Sequence, residues 1–149
     1  MMPSASAFTP VMTVEELNVY LDEVFPQLNR DHADYRVTAI APGAVTVHLN
    51  ARERHLRPGN TLSGPSLFTL ADIGGYACAL SHIGRQALAV TTNLNINFMR
   101  KAEAGLIIGE ARILKLGRAL MVFDIAIHEA KSGAMAAHAT GTYAIPPNK

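Results

Sequence analysis

The amino-acid sequence predicts an α+β protein, an antiparallel sheet wrapped around one long buried helix with an extra helix ahead of it. Three observations carry this reading. Residues 63–82, "SGPSLFTLADIGGYACALSH", hold a single charged side chain, Asp72. After Gly84 the apolar period becomes two and persists through four runs. Before the long helix, two short strand-like runs are split by Pro42-Gly43, a turn signal.

The elements follow in order. Residues 1–12 carry no periodic pattern and are expected to be loose. A helix is predicted over 13–29: Thr13 and Glu16 have capping-box spacing, and Val14, Leu17, Leu21 and Val24/Phe25 recur at helical intervals. Pro26 ends or kinks it. "YRVTAIA" and "AVTVHLN" read as strands, and residues 51–62 as a polar loop. Ser63 or Gly64 suits the cap of the long helix, Pro65 its first positions, and Gly84 its end. In "LAVTTNLNINFM", Leu94, Ile96 and Phe98 share one face and Asn93, Asn95 and Asn97 the other. "GLIIGEARILKL", "ALMVFDIAIHEA" and "AMAAHATGTYAI" are three more strands, joined by turns at Gly117-Arg118 and Lys131-Ser132-Gly133.

At 149 residues the chain suits one domain, residues 1–149. With 49% apolar residues and 17% charged, disorder is not expected. A net charge of +1 argues against a nucleic-acid footprint. The start, "MMPSASAFTP", has no basic segment followed by an apolar core, so no signal peptide is read. Asp72, Pro65, His82 and Gly74-Gly75 make the long apolar helix a poor membrane span. A single cysteine, Cys78, excludes an intrachain disulfide and fits a cytoplasmic address. The six histidines lack metal-ligand spacing, and no metal site is expected.

A polar loop, a small-residue turn, a buried helix with one acid and four antiparallel strands together resemble the hotdog-fold thioesterases of the phenylacetate-pathway (PaaI-type) group. The resemblance spans roughly residues 35–145 and is most specific from Gly64 to Asp72 and in "AVTTNLNINFMRKA". The family's His-Gly-Gly turn stands here as Ser63-Gly64-Pro65, so the middle glycine is Gly64. The family's acid, eight residues on, is Asp72, and the Ser or Thr opening the next strand is Thr91. The family's Asn, six residues before the turn, is replaced by Arg57, with Asn60 nearby. The resemblance implies hydrolysis of an acyl-CoA thioester carrying an aryl or medium-chain acyl group. No cofactor is implied, since coenzyme A is part of the substrate.

Thioester hydrolysis needs a donor for the developing oxyanion and a base or nucleophile. The Gly64 N–H, at a helix start, suits the first role, and Asp72 suits the second. A carboxylate left in an apolar setting without partner or task would cost several kcal/mol. Thr91 is a candidate for holding the attacking water. Arg57, Asn60, Ser63, Phe68, Arg100 and Lys101 are candidate substrate contacts, the basic ones for coenzyme A phosphates; Lys115 and Arg118 are weaker candidates. Leu67, Phe68, Tyr76 and the start of the 87–98 strand are expected to line the acyl pocket. Eight residues of helix span ~12 Å, too far for one carbonyl carbon to touch both Gly64 and Asp72. If both act, they come from different chains, in a homodimer or a homotetramer built as a dimer of dimers. Gly74-Gly75 is read as allowing close approach of the helices in such an assembly.

Plainer readings compete. Asp72 alone could be a satisfied buried acid, Gly64 a mere cap and the asparagine row a polar sheet face. Cys78 and His82 face each other one helical turn apart, but no third group orients the histidine, so a buried thiol is the default. A hydratase would need the turn histidine that Ser63 replaces. A DNA-linked acyl-CoA sensor would need a helix-turn-helix, whereas residues 1–34 hold one clear helix. A non-catalytic hotdog protein is the remaining alternative.

Overall fold

The computed structural model of the chain describes residues 8–30 and 32–147. The expectation for residues 1–7 falls outside that range. Residues 8–12 are not loose. Met12 is buried, the Val11 N–H bonds the Ser81 carbonyl at 2.7 Å, and the Phe8 ring meets His82 edge-on. Scattered apolar residues with no period gave no sign of this docking.

Helix α1 (Val14–Val24) begins with the capping box, Thr13 and Glu16 each accepting the other's backbone N–H at 3.0–3.1 Å. Pro26 ends it and opens a 3-10 turn over Pro26–Asn29. Strands β1 (Tyr35–Ala41) and β2 (Ala44–Ala51) form the hairpin set by Pro42-Gly43. Gly43 has a φ of +72°, and a Cβ there would come within 2.7 Å of the Phe8 ring, so glycine is required twice over. The segment read as loop contains a 3-10 turn (Glu53–His55) and a small hairpin, β3 (Leu56–Arg57) with β4 (Thr61–Leu62).

Helix α2 (Gly64–Ile83) crosses one face of a six-stranded antiparallel sheet ordered β1-β2-β6-β7-β8-β5. The later strands are β5 (Val90–Phe98), β6 (Gly105–Leu116), β7 (Leu120–Glu129) and β8 (Met135–Ala144). Fourteen of the twenty α2 residues are buried, which marks it as the core helix. Gly74 and Gly75 make this possible, but not by admitting another helix: a Cβ on Gly74 would overlap Ile125, and one on Gly75 would overlap the Phe123 ring. The glycine pair seats α2 on its own sheet, which corrects the helix-to-helix expectation.

The two edges of the sheet differ. At the β1 edge, the Asn18 side chain of α1 accepts the Val37 N–H at 3.0 Å and donates to the Val37 carbonyl at 2.9 Å. Asn29 does the same with Tyr35, at 3.0 and 2.9 Å. Two amides thus stand in for a neighbouring strand. At the other edge, among the described residues, β5 pairs only with β8, and most of its side chains are exposed.

One buried acid outside α2 organises the start of that helix. Asp34 is fully buried; Arg52 Nε donates to its Oδ1 at 2.6 Å, and the Arg54 guanidinium binds its Oδ2. Burial pushes this carboxyl up, but the two guanidiniums outweigh it and hold it below the ordinary value. His55 Nδ1 accepts the Arg52 N–H at 2.8 Å. The His55 carbonyl accepts the Ser63 N–H at 2.9 Å and the Ser66 hydroxyl at 3.2 Å. Asp34 therefore anchors the turn that fixes the first residues of α2. No helix of the described residues is long and apolar enough to cross a membrane.

Candidate functional site

The long helix leaves one stripe uncovered. Pro65, Phe68, Thr69 and Asp72, spaced i, i+3, i+4 and i+7, are exposed or half-buried where their neighbours are buried. Gly64 lies at one end of the stripe and Asp72 at the other.

At the Asp72 end the carboxylate is half-buried, not sealed in apolar surroundings, and it has partners. Thr91 Oγ1 and the Tyr143 hydroxyl both donate to Asp72 Oδ1, each at 2.6 Å. The Tyr143 oxygen also lies 2.9 Å from the Asp72 carbonyl. Both side-chain donors thus fall on one oxygen, and Oδ2 has no protein partner among the described residues. Burial, and then the charge of Asp72, pushes the Tyr143 phenol far above its ordinary value, so it stays protonated and a donor.

Thr91 reaches Asp72 because of a bulge. It pairs with Tyr143, while Asn93 pairs with Thr142, so Thr92 is an extra residue. Under strict alternation Thr91 would share the outward face of Asn93. The bulge instead puts it on the inner side with Leu94 and Ile96, all three half-buried. Thr91 is spent as a donor to the carboxylate, although its oxygen can still accept from a water.

Tyr143 was missed from the sequence. "GTYAI" reads as an ordinary strand end, and only the pairing with β5 brings it beside Asp72. Tyr143→Phe removes one hydroxyl at the carboxylate and little else. If Asp72 is the base, kcat should fall by ~10-fold or more, as expected for a hydrogen bond to a charged group worth ~1.5–3 kcal/mol, with KM nearly unchanged. Steady-state kinetics beside an unfolding curve checks this. An unaltered kcat would remove Tyr143 from the site.

At the other end, Ser63 Oγ caps α2 by accepting the Ser66 N–H at 3.2 Å. The Ser63 hydroxyl donates to Ser66 Oγ at 2.8 Å, so the expected substrate contact is already committed to the turn. The Leu67 N–H bonds the Ser63 carbonyl at 3.2 Å, and Pro65 has no N–H. Among the described residues this leaves Gly64 with the one unpartnered N–H of the first turn, beside the Phe98 ring, 3.4 Å from where a Cβ would stand.

A groove of about 360 Å³ here is lined by Gly64, Leu67, Phe98, Arg57, Arg100 and Lys101 among others, so five of the expected residues, all of these but Phe98, converge. Phe68, 41% exposed, lines the adjoining apolar depression with Phe98 and Ile96. Asn60 lies outside the groove, in the β3–β4 turn, with a φ of +61° and its N–H on the Arg57 carbonyl at 3.0 Å; its conformation answers to the turn. Asp72, Thr91 and Tyr143 line a separate cavity of about 290 Å³, together with Val24, Phe25 and Tyr76. Among the described residues the groove and this cavity share no lining residue.

Cys78 is fully buried, and its thiol is pushed up to about 12 by that burial. His82 Nε2 accepts the Gly43 N–H at 3.0 Å, so its proton sits on Nδ1, 2.9 Å from the Cys78 carbonyl. Burial also pushes this imidazole down. A thiol this hard to ionise beside a neutral, fully bonded histidine makes no nucleophile pair. Among the described residues no three His, Cys, Asp or Glu side chains converge as a metal site would need.

Residues 59–136 match the Thioesterase superfamily. The chain belongs to that family. A crystal structure of a provisionally named thioesterase from Silicibacter sp. TM1040 is 50% identical, with a TM-score of 0.85 over 94% of this chain and 96% of that one. A provisionally named esterase of Saccharolobus solfataricus is 28% identical over 91% of this chain and 92% of its own. The phenylacetic acid degradation protein PaaI of Thermus thermophilus, at 23% identity, shares the hotdog fold with a TM-score of 0.68 over 84% of this chain and all of that one. This thioesterase-family chain is a hydrolase of thioesters, and its α1 and β1–β2 hairpin lie outside the matched segment.

Proposed function

We propose that the protein hydrolyses an acyl-CoA thioester bearing an aryl or medium-chain acyl group, at sites shared between two copies of the chain. The observation that carries this is the separation of the two half-sites. The unpartnered Gly64 N–H and the basic residues line one groove, while the Asp72 carboxylate lies eight helical residues away in another cavity, ~12 Å along the axis. Two further features support a second copy. The uncovered α2 stripe runs between the half-sites, and among the described residues β5 offers the one sheet edge that no amide plugs.

In this reading the thioester carbonyl oxygen faces the Gly64 N–H of one chain, at the positive end of its helix. Asp72 of the other chain acts through Oδ2, the oxygen left free by Thr91 and Tyr143. It either takes a proton from an attacking water or attacks the carbonyl carbon directly. The carbon–sulfur bond then breaks, coenzyme A leaves as a thiolate, and the acid is released, by way of an acyl-Asp72 anhydride hydrolysed by water in the second route. The reaction needs no cofactor. Arg57, Arg100 and Lys101, which line the Gly64 groove, would meet the coenzyme A phosphates in this reading, and the unpaired thiol Cys78 suits the cytoplasm, where thiols stay reduced.

Complementation tests the shared site. Gly64→Pro deletes the N–H at the first helical position, which tolerates proline, and the extended Ser63 (φ −73°, ψ 150°) already suits a following proline. Asp72→Asn deletes the base. Each homogeneous variant should be nearly inactive, whereas co-refolded mixtures should recover up to about a quarter of wild-type activity, half the molecules being mixed dimers with one intact site of two. No recovery from well-folded mixed dimers, or full activity in a sedimenting monomer, would sink the shared site. Failure of the wild type to release thiol from any of a panel of acyl-CoAs would sink the enzyme assignment itself.

A further inference from the structure

The cavity beside Asp72 has a wall from outside the family-matched segment. Val24 and Phe25, at the C-terminal end of α1, line it opposite residues of α2 and β5. Phe25 is the C-cap of α1, its N–H on the Leu21 carbonyl at 2.8 Å, and Pro26 holds the chain at that turn. Its ring meets Tyr76 edge-on at 6.5 Å, and Tyr76 in turn stacks on Tyr143 at 5.9 Å. The helix behind the wall is fastened to β1 by Asn18 and to Tyr35 through Asn29, so Phe25 sits on a fixed support.

The chemistry of the cavity is equally defined. Its hydroxyl donors are committed: the Tyr76 hydroxyl donates to the Ala87 carbonyl at 2.7 Å, and Tyr143 and Thr91 donate to Asp72. The rest is apolar, from Val24, Phe25, Ile73, Ala89 and Val90. Beyond the reacting Asp72 Oδ2 and the Thr91 oxygen beside it, an acyl group carrying a hydroxyl or charge would find no free partner on these walls, whereas a plain alkyl chain or unsubstituted phenyl ring needs none.

We infer that Phe25, backed by Val24, forms the end wall of the acyl site and sets the largest unsubstituted acyl group the enzyme accepts. This rests on the acyl-CoA reading above. Phe25 is half-buried and packs against the margin of the core instead of within it. Phe25→Ala deepens the cavity by most of a ring, and Phe25→Trp shortens it.

The experiment measures kcat/KM of wild type, Phe25→Ala and Phe25→Trp with straight-chain acyl-CoAs from acetyl to dodecanoyl and with phenylacetyl-CoA. Each methylene newly housed is worth up to ~4-fold. Phe25→Ala should therefore move the optimum up by about two carbons and raise the long-to-short ratio by ~10-fold, with Phe25→Trp tilting it the opposite way. General loosening of α1 would instead lower all substrates together. Superimposable profiles for the three proteins, or uniform loss, overturn the wall while leaving the thioesterase reading in place. A wild type that hydrolyses none of the panel overturns both.

Discussion

Asp72→Asn is expected to lower kcat by at least ~10²-fold, the low end for loss of a general base, while leaving the fold intact. The geometry explains why the two effects separate. Thr91 and Tyr143 both donate to Oδ1. An asparagine keeps an oxygen at that position, able to accept both, and places its amide nitrogen where Oδ2 was. The local network survives, but the free oxygen that would attack or take a proton is gone. If Asp72 were only a scaffold, the same change would weaken hydrogen bonds to a charged acceptor and lower stability by ~1–3 kcal/mol, with activity falling only as protein unfolds. Measuring kcat and the denaturation midpoint on one preparation separates these outcomes. Near-normal turnover in folded Asp72→Asn protein would falsify the catalytic role.

Asp34→Ala should be the most damaging single change to stability away from the apolar core. Removing one partner of a buried ion pair costs ~3–5 kcal/mol. The solvent-facing halves of Arg52 and Arg54 argue for the lower figure, since their side chains are 50% and 43% exposed. A loss of about 3 kcal/mol is a large part of the ~5–15 kcal/mol holding a typical domain together. Urea denaturation at neutral pH gives the number. The pH dependence has a definite sign, because the folded carboxyl is held below its ordinary value. Its contribution is therefore full above the unfolded value of ~3.9 and is lost as pH falls through the lower folded one. Wild type should lose this share of stability at strongly acid pH, and Asp34→Ala should lack that component. Turnover should fall as well, because Asp34 steadies the turn whose His55 carbonyl holds Ser63 and Ser66. Unchanged stability would mean that the guanidiniums are as well served by water.

The parts legible in the sequence were those with a local cause. The capping box at Thr13, the Pro42-Gly43 turn, the limits of α2 and the alternation in the four later strands each depend on a few neighbouring residues, and each is found in the structure. The family pattern singled out Gly64, Asp72 and Thr91, and the structure brings Thr91 to Asp72. What escaped depends on register or on distant partners. Tyr143 is 71 residues from Asp72, and nothing in "GTYAI" reveals its neighbour. The bulge at Thr92 is equally hidden: alternation alone assigns Thr91 to the face pointing away from α2. Asp34 lies 18 and 20 residues from Arg52 and Arg54, so a buried ion-pair cluster passed as a polar loop. The Gly74-Gly75 pair signals close contact, but a sequence does not say whether the contact is with a second helix, as expected above, or with Ile125 and Phe123, as found.

The Asn18 and Asn29 amides on β1 also bear on how far assembly can go. A sheet with two free edges could recruit copies at both, each newcomer exposing a fresh edge, and the result would be a growing filament. Here one margin is already occupied from within the chain. Two molecules joining head to head at β5 would present only plugged margins to solvent, so sheet growth would terminate after a single step. Cutting either amide back to alanine would reopen a margin, and the hazard created would be polymerisation in a protein whose fold and chemistry were otherwise unaltered.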